Sequence, residues 1–418
     1  MKIINCRLMG QEGLTDILID DGVFQRIAPG LSQADAETID AAGRLVTPPF
    51  VEPHIHLDAA LTAGDPEWNA SGTLFEGIAL WARRKETLSG EDVMKRAEAT
   101  VEMCAKRGIQ FIRTHVDVTD PALTALKAML KVRARVADLC EMQIVAFPQD
   151  GILSFPNGRE LMREAAALGA DVLGAIPHGE FMRDYGVESI RFVMELAERN
   201  GLRVDIHCDE IDDEQSRFLE VAAAEAIRLG NGARVTASHT CAMGSYNDAY
   251  AYKLMGVLNK AGINFVSCPT ESIHLQGRLD TYPKRRGLTR VKELLAAGLN
   301  VCFAQDSIID PWYPLGNGHI LNVLFHGLHI TQLTGRGEID RSLELITVNG
   351  AKTLGLQDRY GLEIGKPASL LILDAETVYD AVRTQAEVLY SIRNGRIIAQ
   401  SEPARRTLFR PALEPVGK

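Results

Sequence analysis

The feature of this sequence that most restricts its fold is an alternation of apolar, strand-like segments with segments of helical periodicity, from about residue 46 to residue 306. The strand-like segments number eight, and they are 45–56, 109–117, 142–149, 172–178, 202–207, 234–239, 263–268 and 299–306. Alternating β and α units predict an α/β protein with a parallel sheet. Eight such units predict a (β/α)8 barrel of the TIM type.

Polar side chains collect where these predicted strands end, while the strand interiors consist of Val, Ile, Leu and Ala. The residues at the strand ends are His54, His56, His115, Asp117, Gln149, His178, Glu180, His207, Glu210, His239 and Asp306. In a (β/α)8 barrel the carboxyl ends of the strands form the working face. The distribution therefore predicts an enzyme with its active site at that face.

Three of the strand ends carry metal-ligand residue types. His54 and His56 share one side of a strand because residues i and i+2 point the same way. With His207 and Asp306 they form a predicted cage for one divalent ion, which would activate a water for hydrolysis. For any single His, a satisfied core histidine is the better interpretation, but the same position at successive strand ends favours a metal site. Because segment 172–178 contains no Lys to bridge a second ion, we expect a single ion.

Further candidates surround this predicted site. Glu210 lies three residues after His207, where it would act as general acid and base or, alternatively, only begin a helix. His239 would be a further ligand or, as we favour, would hydrogen bond the attacking hydroxide or the substrate. Gln149 has an amide that suits a heterocycle edge, although a surface-loop Gln is the plain alternative. Phe147 and Trp312 would stack on a flat ring, with core packing as the default.

Two carboxylate assignments complete the set of candidates. Asp306 would both bind the metal and accept a proton from the bound water; a simple helix cap is weaker, because the residues after it are not helical. By contrast, we expect Asp209, Asp212, Asp213 and Glu214 to be solvated charges at a helix N-terminus.

The flanks predict a second, smaller domain. Residues 1–45 contain short alternating apolar runs, and residues 367–418 contain two more, with Asn394-Gly395 as a hairpin signal between strands. We expect both ends of the chain to form one small β-sandwich domain beside a barrel that spans 46–366.

Composition excludes several classes of function. The net charge of -10 and the pI near 5.6 disfavour nucleic-acid binding. No apolar stretch approaches the ~20 residues of a membrane span, and the first residues lack a signal-peptide pattern. The seven cysteines form no CxxC pair, which disfavours a disulfide framework. We expect a cytoplasmic protein with no membrane and no nucleic-acid partner.

Longer motifs resemble one family. The stretches that carry the resemblance are 48–58, 71–77 (which contains Leu74), 207–218, 273–278 and 310–316. In them, and over nearly the whole chain, the sequence resembles the amidohydrolase superfamily, and within it the bacterial cytosine deaminases. The resemblance implies one Fe²⁺ or Zn²⁺ per chain on His54, His56, His207 and Asp306. It also implies hydroxide attack at C4 of a pyrimidine, loss of ammonia, and a homo-oligomer.

The same resemblance implies roles for single residues. Glu210 would protonate the ring nitrogen, His239 would position the hydroxide, and Gln149 would hold the carbonyl edge of the base. Beyond the resemblance, we expect Leu74, Phe147, Ser307 and Trp312 to bind the substrate.

Two departures from the family pattern concern the substrate. Ser307 follows Asp306 where the family has a second carboxylate, and Gly179 stands where it has Phe. Both changes make room, so we expect 5-methylcytosine, giving thymine, with cytosine, giving uracil, close behind. The alternatives are another small heterocycle (creatinine-, isocytosine- or triazine-like) and an inactive metal-binding barrel, against which the intact Glu210 and Asp306 argue.

Overall fold

The protein is described here by a computed structural model that covers residues 1–32, 37–404 and 406–409. Parts of the predicted small domain, at 33–36, 405 and 410–418, lie outside the described residues. Within the described residues, no helix is both long enough and apolar enough to cross a membrane.

The elements follow one another in the order that the sequence pattern predicts. The strands are β1 Lys2–Leu8, β2 Thr15–Asp20, β3 Val23–Ala28, β4 Thr38–Asp40, β5 Leu45–Thr47, β6 Phe50–Ile55, β7 Ile109–Asp117, β8 Glu141–Phe147, β9 Val172–Ala175, β10 Arg203–Cys208, β11 Val235–His239, β12 Asn264–Ser267, β13 Asn300–Phe303, β14 Leu370–Leu373, β15 Val388–Arg393 and β16 Arg396–Gln400. The helices are α1 Leu74–Lys85, α2 Gly90–Lys106, α3 Thr124–Arg135, α4 Gly158–Leu168, α5 Arg183–Asn200, α6 Phe218–Leu229, α7 Asp248–Ala261, α8 Pro269–Leu275, α9 Val291–Ala296, α10 Ile320–Thr331, α11 Arg336–Asp340, α12 Val348–Leu354 and α13 Val378–Thr384.

Strands β6 to β13 form one parallel sheet in sequence order, and the sheet curls into a barrel. The barrel closes between its first and last strands through a bridge of Ile55 with Asp306. Across this seam the His56 amide donates to the Asp306 carbonyl at 3.1 Å, and the Asp306 amide donates to the His54 carbonyl at 3.0 Å. The predicted (β/α)8 fold is confirmed.

The first predicted strand, 45–56, is wrong as a single element. Leu45–Thr47 forms β5, which pairs with β1 and β14, and only Phe50–Ile55 enters the barrel. Pro48 and Pro49 separate the two parts because proline has no N–H to donate to a strand ladder.

The second sheet contains strands from both ends of the chain, in the order β16-β15-β14-β5-β1-β2-β3, with β4 also paired to β1. Its buried apolar side chains, such as Ile3, Phe24, Val46 and Ile372, form a core separate from that of the barrel. A terminal β unit is therefore confirmed, while the limits 45/46 and 366/367 of the two domains stay a prediction.

The helices cover the barrel with apolar faces, as α2 illustrates. The Ser89 side chain caps the first turn by accepting from the Asp92 amide at 3.2 Å. Val93, Ala97 and Val101 recur at four-residue spacing, so they share one face of the helix, and they are buried in the same apolar cluster as the barrel strands. The main core thus lies between the barrel and its surrounding helices.

Gly327 in α10 provides a test of how tightly the helices pack on the barrel. A Cβ at Gly327 would lie 2.5 Å from the Phe303 ring and 3.0 Å from Pro269. We expect Gly327→Ala to lower the free energy of unfolding by about 1–3 kcal/mol through overpacking. Gly256→Ala, in α7, meets no heavy atom within 4 Å and is expected to raise it by about 0.5–1 kcal/mol. Urea denaturation followed by circular dichroism measures both, and equal midpoints for the two variants would contradict this packing.

Candidate active site

The four predicted metal ligands meet at the carboxyl ends of the barrel strands. The Nε2 atoms of His56 and His207 are 3.2 Å apart. The Nε2 atoms of His54 and His56 each lie 3.4 Å from Oδ1 of Asp306. All four side chains are buried. The structure thus brings residues from β6, β10 and the end of β13 to a single point.

This geometry fits a cation. Two ring nitrogens that face each other at 3.2 Å share at most one proton. Among the described residues, Nε2 of His54 has no hydrogen-bond partner. Three imidazole nitrogens and one carboxylate oxygen are donors that Zn²⁺ and Fe²⁺ accept, with a position left for water. The residues present can therefore hold a divalent ion.

The electrostatics of the cluster agree with that fit. Burial, and then the neighbouring imidazoles, hold the pKa values of His54 and His56 well below their ordinary value, so both rings are neutral. Burial, followed by the charge of Glu210, raises the pKa of Asp306 well above its ordinary value. A divalent cation would favour neutral imidazoles and an ionised carboxylate at this point.

Glu210 and His239 lie against the same cluster. Nδ1 of His239 is 3.6 Å from Oδ2 of Asp306 and 3.7 Å from Oε1 of Glu210. Burial raises the pKa of Glu210 to about 8, which suits a group that must both give and take a proton near neutral pH. Burial lowers the pKa of His239 to about 3, so its ring is neutral. His239 also offers a ligand atom within 4.8 Å of those of His54 and His207, so both interpretations of its role stay open.

Two of these residues have a backbone conformation that differs from that of a β-strand. His239 has φ of 69° and Asp306 has φ of 70°, both in the left-handed region that residues other than glycine seldom adopt. Such conformations cost free energy and collect at functional sites. Here they occur directly where the β11 ladder ends and just beyond β13.

A narrow cleft opens above the cluster. The residues that line it are His56, Leu74, Phe147, Gln149, Ile176, His207, Glu210, Glu271, Leu275, Asp306, Ser307 and Trp312. All five predicted substrate-binding residues are therefore in the wall of one cleft. Phe147 also stacks on the His207 ring, with centroids 4.0 Å apart and planes at 23°, so it packs against a predicted ligand as well as facing the cleft.

The sequence reasoning missed three residues of this wall: Ile176, Glu271 and Leu275. Glu271 is 1% exposed, and its Oε2 has no hydrogen-bond partner among the described residues. It lies three residues after the predicted strand end at Cys268, the same spacing by which Glu210 follows His207. That shared spacing could have identified it. Burial, and then the charges of Asp306, Asp310 and Glu210, raise the pKa of Glu271 well above its ordinary value.

The expectation that Asp209 is a solvated charge is wrong. It is 1% exposed and accepts hydrogen bonds from the Ser216 hydroxyl at 2.7 Å and from the amides of Phe218 and Leu219. Asp209 therefore fixes the start of α6 beneath the loop that carries Glu210.

Glu52 braces the barrel seam from below. This fully buried carboxyl accepts hydrogen bonds from the Gln305 amide at 3.1 Å and from the His54 amide at 3.3 Å. It ties the backbone next to Asp306 to the backbone of His54. Two predicted ligands that are distant in sequence are thereby held in register.

Comparison with known proteins identifies the family of the chain. The model of the amidohydrolase family matches residues 37–399, so the chain belongs to that family. The predicted class, a hydrolytic aminohydrolase, is confirmed. Family members use a divalent metal, and the His and Asp groups described above could hold one.

More particular likenesses point to deaminases. The chain is 61% identical to the 5-methylcytosine deaminase from Klebsiella pneumoniae, solved with 5-fluorocytosine, with a TM-score of 0.96 over 98% of this chain and 99% of that one. It is 28% identical to the N-isopropylammelide isopropyl amidohydrolase of Pseudomonas sp. (strain ADP), covering 96% and 97% of the two chains. It is 29% identical to the pterin deaminase of Rhizobium rhizogenes, covering 95% and 91%.

Proposed function

We propose that this chain hydrolytically deaminates a cytosine-type base, with 5-methylcytosine to thymine as its main reaction and cytosine to uracil as its second. The observation that carries the proposal is a cluster of four candidate metal-ligand side chains, three of which line one narrow cleft together with the buried carboxyl of Glu210. The similarity to the Klebsiella pneumoniae enzyme over nearly the full length of both chains supports the choice of base.

The proposed cofactor is one Zn²⁺ or Fe²⁺ per chain on His54, His56, His207 and Asp306. The distances among their donor atoms and the unpartnered Nε2 of His54 support this set. When bound, such an ion lowers the pKa of water at the site and so supplies a nucleophile near neutral pH.

In the proposed reaction, Asp306 and Glu210 transfer protons and His239 orients the attacking water. Asp306 accepts a proton from the attacking water, and the neutral His239 ring orients that water by a hydrogen bond. Glu210, with a pKa of about 8, gives its proton to the ring nitrogen, takes the proton of the new C4 hydroxyl as the carbonyl forms, and passes that proton to the leaving group. The proton on Asp306 then returns to Glu210. Oxygen bonds to C4, the bond from C4 to the exocyclic nitrogen breaks, and ammonia leaves.

The walls of the cleft define the substrate. Leu74, Phe147 and Trp312 give it apolar faces that suit a flat ring, and the Gln149 amide holds the carbonyl edge. Ser307 is small and lies next to Asp306 in the wall, where it leaves room for a methyl group. Ammonia release from a panel of cytosine, 5-methylcytosine, creatinine, isocytosine and amino-triazines tests the assignment against the other heterocycles and against an inactive barrel.

We further propose that the enzyme is a cytoplasmic homo-oligomer that acts in pyrimidine salvage and binds neither nucleic acid nor membrane. The seven cysteines are all unpaired and buried, which supports a reducing compartment. The acidic net charge of -10 disfavours a nucleic-acid partner. The homo-oligomer rests on the family resemblance.

The first prediction concerns the ion. Elemental analysis of the purified protein should find about one equivalent of Zn or Fe per chain, and His207→Ala should lose most of it because one imidazole donor is gone. The exposed His329, outside the cleft, provides the matched control, since His329→Ala should keep the full equivalent. Two tightly held equivalents, or unchanged content in His207→Ala, would reject the proposed ligand set.

The second prediction concerns proton transfer. Glu210→Gln keeps the shape of the side chain and removes its exchangeable proton, so kcat should fall at least ~10²-fold while metal content stays unchanged. The exposed Glu214, four residues further on, serves as control, and Glu214→Gln should keep normal turnover. Near-normal turnover in Glu210→Gln would remove this residue from the mechanism.

The third prediction concerns substrate choice. Ser307→Asp would add a carboxyl beside Asp306, Glu271 and Asp310, crowding the space for a methyl group and adding a desolvation cost. The ratio of kcat/KM for 5-methylcytosine to that for cytosine should fall by roughly 10- to 200-fold. Ser32→Asp, at an exposed position away from the cleft, should leave the ratio unchanged. A native enzyme that strongly prefers cytosine would show that the substrate assignment is wrong.

A further inference from the structure

A chain of buried polar groups runs from the interior of the barrel to His54. Nδ1 of His54 lies 2.9 Å from the Ser238 hydroxyl, and that hydroxyl donates to Oδ1 of Asp205 at 2.6 Å. Oδ2 of Asp205 accepts from Nη1 of Arg113 at 2.8 Å. All four side chains are fully buried, and the groups behind His54 come from β7 and from the adjacent strands β10 and β11.

Arg113 fixes the far end of this chain. Its guanidinium donates to Asp205, Thr236, the Gln143 side chain and the Thr353 carbonyl, so each of its three nitrogens has a partner. A guanidinium cannot lose its charge in a protein, and its planar fork has a fixed direction. The carboxylate of Asp205 therefore has a rigid cationic neighbour and can act only as an acceptor.

The direction of each hydrogen bond follows from a count of protons. Because Asp205 only accepts, the single hydroxyl proton of Ser238 points to Asp205. The Ser238 oxygen can then only accept from His54, so Nδ1 of His54 must carry the ring proton. In a neutral imidazole this leaves the lone pair on Nε2. That Nε2 is the atom without a partner among the described residues, 3.4 Å from Asp306.

We propose that Ser238, held by Asp205 and Arg113, is a positioning residue that sets the tautomer and ring orientation of His54 for metal binding. The inference rests on the proposed ligand set and extends it to residues that touch neither metal nor substrate. Partners of this kind on the second nitrogen of a ligand histidine change metal affinity by about 10- to 100-fold.

The test measures Zn²⁺ affinity of the metal-free protein by competition with a chelating dye. Ser238→Ala should weaken binding by about 10- to 100-fold. Ser238→Thr, which keeps the hydroxyl, should restore most of the affinity. Asp205→Asn offers an amide donor to Ser238, so it allows the hydroxyl to turn toward Nδ1 and should weaken binding at least as much as Ser238→Ala.

A matched control separates positioning from folding. Ser267, on the adjacent strand β12, is equally buried, and its hydroxyl has no partner among the described residues. Ser267→Ala should bind Zn²⁺ like the native protein. The metal-free form of Ser238→Ala should still unfold in one cooperative transition, at a melting temperature lowered only by the loss of its hydrogen bonds. If the native protein binds one ion and Ser238→Ala binds it equally well, the positioning role is wrong while the proposed function stands. If the native protein binds none, both fail.

Discussion

The seam between the first and last barrel strands is the constraint on which the site depends. Two backbone hydrogen bonds, of 3.0 and 3.1 Å, join Asp306 to His54 and His56 across it. Without this closure, the carboxylate ligand and the paired imidazoles would sit at opposite edges of an open sheet. Glu52 adds a carboxyl that binds the amides on both sides. The closure of the barrel therefore also determines how the proposed metal ligands are placed.

Burial shifts the pKa values of the site residues, and it also makes the site unfavourable for folding. The centre of the barrel mouth holds several carboxyls and imidazoles with almost no solvent contact, so burial pushes the pKa of Glu210 up to about 8 and that of His239 down to about 3. Uncompensated, such a cluster opposes folding, because charged groups lose solvation. A cation bound at the proposed site would offset that cost and keep Asp306 ionised. The same exclusion of solvent leaves Glu210 able to exchange a proton near neutral pH.

The features that could be predicted from the sequence were those that follow from a regular local spacing of residues. The period of strands and helices predicted eight barrel units, and the i, i+2 rule joined His54 to His56. The break at Pro48 and Pro49 could also have been predicted, because proline has no N–H to donate to a strand ladder. The apolar residues on both sides nevertheless made 45–56 resemble one strand. The hydrogen-bonded chain from Ser238 to Arg113 could not be predicted from the sequence, because it joins residues of strands that come together only in the folded barrel. Glu271 was missed because a carboxyl at a helix start usually has the ordinary explanation of a favourable helix dipole.

The most direct test of this account is anomalous diffraction from crystals of the metal-loaded protein, measured on both sides of the zinc and iron absorption edges. The account predicts one peak per chain, about 2.0–2.2 Å from Nε2 of His54, His56 and His207 and from a carboxylate oxygen of Asp306. A single peak held by His54, His115 and Asp205, another buried group that could bind an ion, would contradict it. So would two peaks within one cleft.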